Sequence, residues 1–172
     1  MLGNHDHHAG EADAVRGELE VGGITVLERE ATVVRVDGGE IGVVGAKGFG
    51  GGFAGACATE FGEEEMKAFV RVTEGMAADV EDLLLTLRTD VRLLLLHYAP
   101  IRDTLVGEPP EIFPFLGSYL FAEAADRAGA GLILHGHAHR GTEHGRTAGG
   151  IPVRNVAKPV IRRAYALFTM EP

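Results

Sequence analysis

Two short runs that do not alternate, residues 91–96, apolar but for Arg92, and 131–134, each lead straight into a histidine, His97 and His135. Successive side chains of a strand point to opposite faces, so a strand that is apolar at every position is covered on both sides. Such strands belong inside a layered sheet, which predicts an α/β chain. In open α/β sheets, sites are assembled at the carboxyl ends of the strands. The histidines that close these runs therefore mark the first place to look for chemistry.

The rest of the chain supplies elements around those runs. Residues 24–27, 31–36 and 40–45 are β-branched segments, and Asp37-Gly38-Gly39 between the last two is a hairpin signal. From 63 to 88, Met66, Phe69, Val70, Thr73, Ala77, Val80, Leu84 and Leu87 recur at three- and four-residue spacing, which predicts a long amphipathic helix. Glu63, Glu64 and Glu65 suit its positive end, and Gly75 is a place where it could bend or break. A proline-containing loop, 99–116, leads to a short helix with Ser118 as N-cap and Gly129 at its close. Segments 151–156 and 164–170 read as further strands. No repeat or linker divides the chain, so residues 1–172 are expected to form one domain.

Composition narrows the function classes. The 45% hydrophobic and 24% charged residues are ordinary for a globular chain and exclude disordered and fibrous classes. A formal charge of -9 argues against binding driven by nucleic-acid phosphates. The single cysteine, Cys57, allows no internal disulfide, and no run approaches the roughly 20 apolar residues of a membrane span. The first residues show neither the basic start nor the apolar stretch of a signal peptide, so a cytoplasmic protein without membrane contact is expected.

His137 and His139, two residues apart in what reads as an extended segment, are expected to face one side, where His97 could join them. Three imidazoles from two strand ends suit zinc, iron, nickel, copper or, with oxygen donors, manganese. A lone histidine after a strand is more often a satisfied surface or core residue, so the weight falls on the combination. His7, His8, His135 and His144 are read as solvent-exposed or locally bonded. The glycine-rich stretch from Gly50 to Gly55 formally fits a dinucleotide fingerprint, but no helix opens within it; Lys47 lacks Walker spacing. That loop is read as a border of a substrate cleft.

With Gly3-Asn4-His5-Asp6, then His97 in Leu96-His97-Tyr98-Ala99-Pro100, then Gly136-His137-Ala138-His139, the chain resembles the calcineurin-like metallophosphoesterases. These are three of that family's blocks in order. The resemblance implies that Asn4, His97 and His137 bind one metal and His139 helps bind a second. It also implies that His5 stands near the phosphoryl group and the leaving oxygen, with Asp6 orienting it. The family's two earlier blocks, Asp-x-His and Gly-Asp, have no counterpart here, so the expected fold is a four-layer α-β-β-α sandwich truncated at its N-terminus. The implied function is hydrolysis of a small phosphodiester or phosphomonoester at a dinuclear centre of manganese, iron or zinc. The alternative is a weakly active or inactive metal-binding or interaction fragment. Missing strands would expose apolar faces of the 93–96 and 132–134 strands and favour self-association. Asp103 and Glu108 are the first substitutes for the absent carboxylates.

Overall fold

The structure, a computed structural model, describes residues 1–170. In chain order it contains α1 (Ala12–Val21), β1 (Glu30–Val36), β2 (Gly39–Ala46), β3 (Gly52–Phe53), β4 (Ala56–Cys57), α2 (Glu64–Thr86) and β5 (Val91–Leu96). Two single turns of 3₁₀ helix, Asp103–Leu105 and Pro110–Ile112, precede α3 (Phe113–Leu116) and α4 (Leu120–Ala128). Then come β6 (Leu132–His135), β7 (His144–Arg146), β8 (Pro152–Asn155) and α5 (Lys158–Ile161).

Six strands form one mixed sheet in the order β1-β2-β5-β6-β8-β7, and β3 and β4 make a small separate hairpin. β2, β5, β6 and β8 are mutually parallel, while β1 and β7 close the two edges antiparallel. The chain is thus α/β with a six-stranded mixed sheet.

One face of that sheet carries the core. Val44 and Ala46 of β2, Leu94 and Leu96 of β5, Ile133 of β6 and Val153 of β8 are buried there. Against them α2 sets Ala77, Val80 and Leu84, a stripe at three- and four-residue spacing, and α4 sets Phe121, Ala122 and Ala125. α2 runs unbroken through Gly75. A second cluster, Phe53, Ala99, Leu105, Phe113, Leu116 and Ala138, is built from the loops that follow the strands.

Several expected elements differ. Residues 24–27 form no strand: Leu27 packs against Gly45, where a Cβ would meet Leu27 Cβ at 2.5 Å, but its backbone enters no ladder. Residues 164–170 likewise make no ladder; Phe168 and Met170 border a pocket together with Ile41, Asp90 and Val91. The N-cap of α4 is Tyr119, not Ser118. Ser118 is instead tied by its own N–H to the Ala99 carbonyl (3.1 Å), and its Oγ accepts only a long 3.4 Å bond from Leu120 N–H. No helix among the described residues is long and apolar enough to cross a membrane.

Candidate metal centre

Parallel pairing brings the carboxyl ends of three strands level. Ala46 pairs with Leu96, and Leu95 pairs with Leu134. The next residues, Lys47, His97 and Gly136, are therefore neighbours. His97 and Tyr98 both donate their N–H groups to the Lys47 carbonyl at 3.0 Å, and Gly136 N–H donates to the His97 carbonyl at 3.2 Å. Lys47 N–H in turn donates to Glu28 Oε1 at 2.9 Å. Over this platform lies a turn at residues 3–6. Its Gly3 rests on the His97 ring so closely that a Cβ would sit 2.8 Å from Cε1.

Three side-chain donors meet there. His97 Nε2 lies 2.7 Å from Asn4 Oδ1 and 3.1 Å from His137 Nδ1. His137 Nε2 points at the Phe115 carbonyl, 3.4 Å away, and that bond assigns it the hydrogen. His137 Nδ1 is then an acceptor, as is the amide oxygen of Asn4, so the hydrogen they share is the one on His97 Nε2. Two lone pairs, on Asn4 Oδ1 and His137 Nδ1, thus converge on the hydrogen of His97 Nε2, and a cation could take that place only with the hydrogen of His97 moved to Nδ1. The Tyr98 ring supports the cluster, with its centroid 4.5 Å from that of His137.

Burial sets the charge of these imidazoles. His97 is held down to about 4, first by burial, then by the charge of His137, with His5 and Lys47 adding to it and Asp6 opposing. His137 is lowered chiefly by burial, against the bond to the Phe115 carbonyl; charges on His139 and His5 lower it further, and Glu108 raises it. Neutral imidazole with a free lone pair is the form that binds a metal.

The donor set fits a divalent ion. Ligands about 2.0–2.2 Å from a shared metal stand roughly 3.0–3.4 Å from one another. The 3.1 Å separation of the two imidazole nitrogens already lies in that range, and the 2.7 Å separation from Asn4 Oδ1 would have to lengthen slightly. The set is mixed, two imidazoles and one amide oxygen. Among the described residues, no group of three or more His, Cys, Asp or Glu is arranged to hold a metal ion.

The remaining candidates are placed as follows. His139 is exposed on a turn, and His137 has a left-handed backbone (φ 64°). The pair therefore does not sit on an extended segment, and its two-residue spacing does not by itself put both rings on one side. His5 is exposed within the turns of residues 4–9. Asp6 does not bond His5: its Oδ2 accepts the Gly3 N–H at 2.7 Å, and so it closes the turn that presents Asn4. His135 is locally bonded, with Nδ1 2.8 Å from the Gly136 carbonyl, but buried rather than exposed, with Nε2 2.8 Å from Thr104 Oγ1, and burial pushes it down to about 4. His7, His8 and His144 are exposed, and His144 lies 3.8 Å from Glu143. Glu108 is engaged by Arg140 N–H at 2.7 Å, while Asp103 starts a 3₁₀ turn with its side chain exposed.

Sequence reasoning missed two contributors, Lys47 and Tyr98. Lys47 Nζ lies 5.3 Å from the Phe49 ring centroid and 5.9 Å from that of Tyr98, beside the cluster. The signal was present: Lys47 follows β2 as His97 follows β5. Neither the protein-family models nor the curated proteins give a match to this chain.

Proposed function

We propose that the chain is a metal-dependent phosphoesterase of the calcineurin-like type, acting on a small phosphodiester or phosphomonoester. The observation that carries this is the meeting of Asn4, His97 and His137 at the ends of parallel strands. In this assignment Asn4 Oδ1, His97 Nε2 and His137 Nδ1 hold one divalent ion, manganese, iron or zinc, and His139 contributes to a second. A bound cation supplies Lewis acidity toward a phosphoryl oxygen and a more acidic water. His5, exposed beside the cluster, donates a proton to the leaving oxygen as the phosphorus–oxygen bond breaks. Asp6 fixes the turn that carries Asn4 and His5. The proposed architecture is the family's four-layer sandwich, with residues 1–172 as part of one such domain, and the proposed location is the cytoplasm.

A second reading, metal binding without turnover, is favoured by the Asp6 carboxylate being committed to the Gly3 amide rather than to the donor cluster. One experiment separates the two. Manganese and zinc are titrated calorimetrically into the chain and into His97→Ala, and hydrolysis of bis(p-nitrophenyl) phosphate is followed in the same samples. The expected result is metal binding weakened about a hundredfold or more by His97→Ala, since even an indirect ligand support contributes tenfold to a hundredfold. Turnover that is lost in His137→Ala supports the enzyme; binding with no turnover supports the second reading. Equal metal affinity in the chain and His97→Ala overturns both.

A further inference from the structure

Asn155 closes β8 at its carboxyl end, in register with His135, and it is fully buried. Both ends of its side-chain amide are engaged. Nδ2 donates to the Ala138 carbonyl at 2.7 Å, and Oδ1 accepts the Ala157 N–H at 3.1 Å. A carbonyl only accepts and an N–H only donates, so these partners fix which end of the amide is which. The Ala138 carbonyl is also approached by the Gly141 N–H, at a longer 3.3 Å.

Ala138 lies between the two histidines of the motif and is itself fully buried. Its N–H donates to the Gly136 carbonyl at 2.7 Å, which closes a three-residue γ-turn with His137 at the corner. With φ at 64°, His137 takes the rare form of that turn, which is strained for a residue with a side chain. Such strain persists only where the surroundings hold it in place. Here the hold is on Ala138, whose N–H is tied to Gly136 and whose carbonyl is tied to Asn155. The following turn is packed on the same side chain: a Cβ at Gly141 would run into the Thr104 carbonyl and come within 3.0 Å of Asn155 Nδ2.

We infer that Asn155 is a positioning residue of the donor cluster: its bond to the Ala138 carbonyl holds the strained turn that sets His137 Nδ1 3.1 Å from His97 Nε2. The same bond fixes the start of the turn over residues 138–141, which carries His139. This rests on the metal-binding part of the reading above. It adds a residue from a fourth strand end that touches no ion.

Zinc is the probe. It is titrated calorimetrically into the full chain, Asn155→Ala and Thr73→Val. Thr73 of α2, 1% exposed, bonds the Gly50 carbonyl and controls for losing a buried polar bond elsewhere. Asn155→Ala should weaken zinc binding about tenfold to a hundredfold, and Thr73→Val should leave it unchanged. Equal losses in the two variants overturn the inference, as does undiminished affinity in Asn155→Ala.

Urea unfolding without metal reads the strain itself. Losing Asn155 frees the turn to relax, and the relief offsets part of the lost bonding only where His137 is present. Asn155→Ala should therefore lower the urea midpoint less in the parent chain than in the His137→Gly background. Equal shifts in the two backgrounds overturn the inference. A further measurement needs no variant. Coupling between sites is reciprocal, so saturating zinc should slow hydrogen exchange at Asn155 Nδ2 more than at the amides in the middle of α2, which report global opening. Equal slowing overturns the inference and decides the matter if Asn155→Ala does not fold. A parent chain without zinc affinity overturns the metal reading, and the urea comparison still decides whether Asn155 holds the turn.

Discussion

Gly3 lies flat against the imidazole of His97: a Cβ at this position would come within 2.8 Å of Cε1 and 3.0 Å of Nδ1. The glycine is therefore part of how the donor is aimed, although it donates nothing itself. Gly3→Ala is expected to push the ring away from Asn4 Oδ1 and weaken manganese binding about tenfold, as loss of a supporting contact does. Calorimetric titration with a parallel circular dichroism spectrum checks this; unchanged affinity would mean that the ring has room to move.

The left-handed backbone of His137 separates conformational strain from ligand chemistry. His137→Gly and His137→Ala both delete the imidazole, but only alanine pays the steric cost of φ near 64°. The glycine variant should therefore be the more stable of the two by about 1 kcal/mol. Urea unfolding of both in the absence of metal gives the difference directly, and equal midpoints would show that the turn relaxes in the alanine variant.

Gly75 sits on the exposed side of α2, where a Cβ would meet nothing within 4 Å. Gly75→Ala should raise stability by about 0.5–1 kcal/mol through helix propensity alone. A thermal melt that shifts downward would show that the helix uses this residue for flexibility.

Arg127 of α4 grips Glu81 of α2 through Nε, at 3.0 Å from both carboxylate oxygens, and through a second guanidinium nitrogen at 2.7 Å. That hydrogen bonding holds the Glu81 carboxyl below its ordinary value of 4.5. The folded chain then binds fewer protons than the unfolded one in this range, so the contribution is complete above pH 4.5 and fades as the pH falls through the lowered value. For a solvent-accessible pair the effect is below about 1 kcal/mol. Arg127→Ala should lose that amount at pH 7 and approach the parent as the pH falls below 4.5, with Glu81→Gln as a control because Glu123 also lies 3.6 Å from Arg127. A pH-independent difference would assign the loss to packing.

Local pattern was enough to read the β1–β2 hairpin, α2 and β5, because each carries its own period or turn signal. α1 was not readable in that way: none of its residues is buried, so it has no apolar stripe to announce it. Segments 24–27 and 164–170 misled for a related reason. Val26 and Leu27 are buried and Phe168 and Met170 half-buried without their backbones joining the sheet, whereas Ile24, Tyr165 and Leu167 are exposed. His97, Asn4 and His137 were legible as a set of motifs, whereas the roles of their neighbours depended on contacts between distant parts of the chain. His135 is buried because the loop at Thr104 returns over it, and Asp6 turned inward to its own backbone. No spacing rule in the sequence encodes either event.

The donors joined at His97 are far apart along the chain, 93 positions from Asn4 and 40 from His137. A cation bound to all three would act as a cross-link closing two large rings. Holding together the ends of a 93-residue loop opposes a chain entropy on the order of 4 kcal/mol. The sheet meets that cost beforehand only for the His97 and His137 pair, since β5 and β6 already lie side by side, whereas residues 3–6 belong to no strand. An unfolded chain would present the same donors scattered and bind far more weakly. The ion would therefore discriminate between folded and unfolded chains, and it would pin the turn at residues 3–6 to the strand ends that carry His97 and His137.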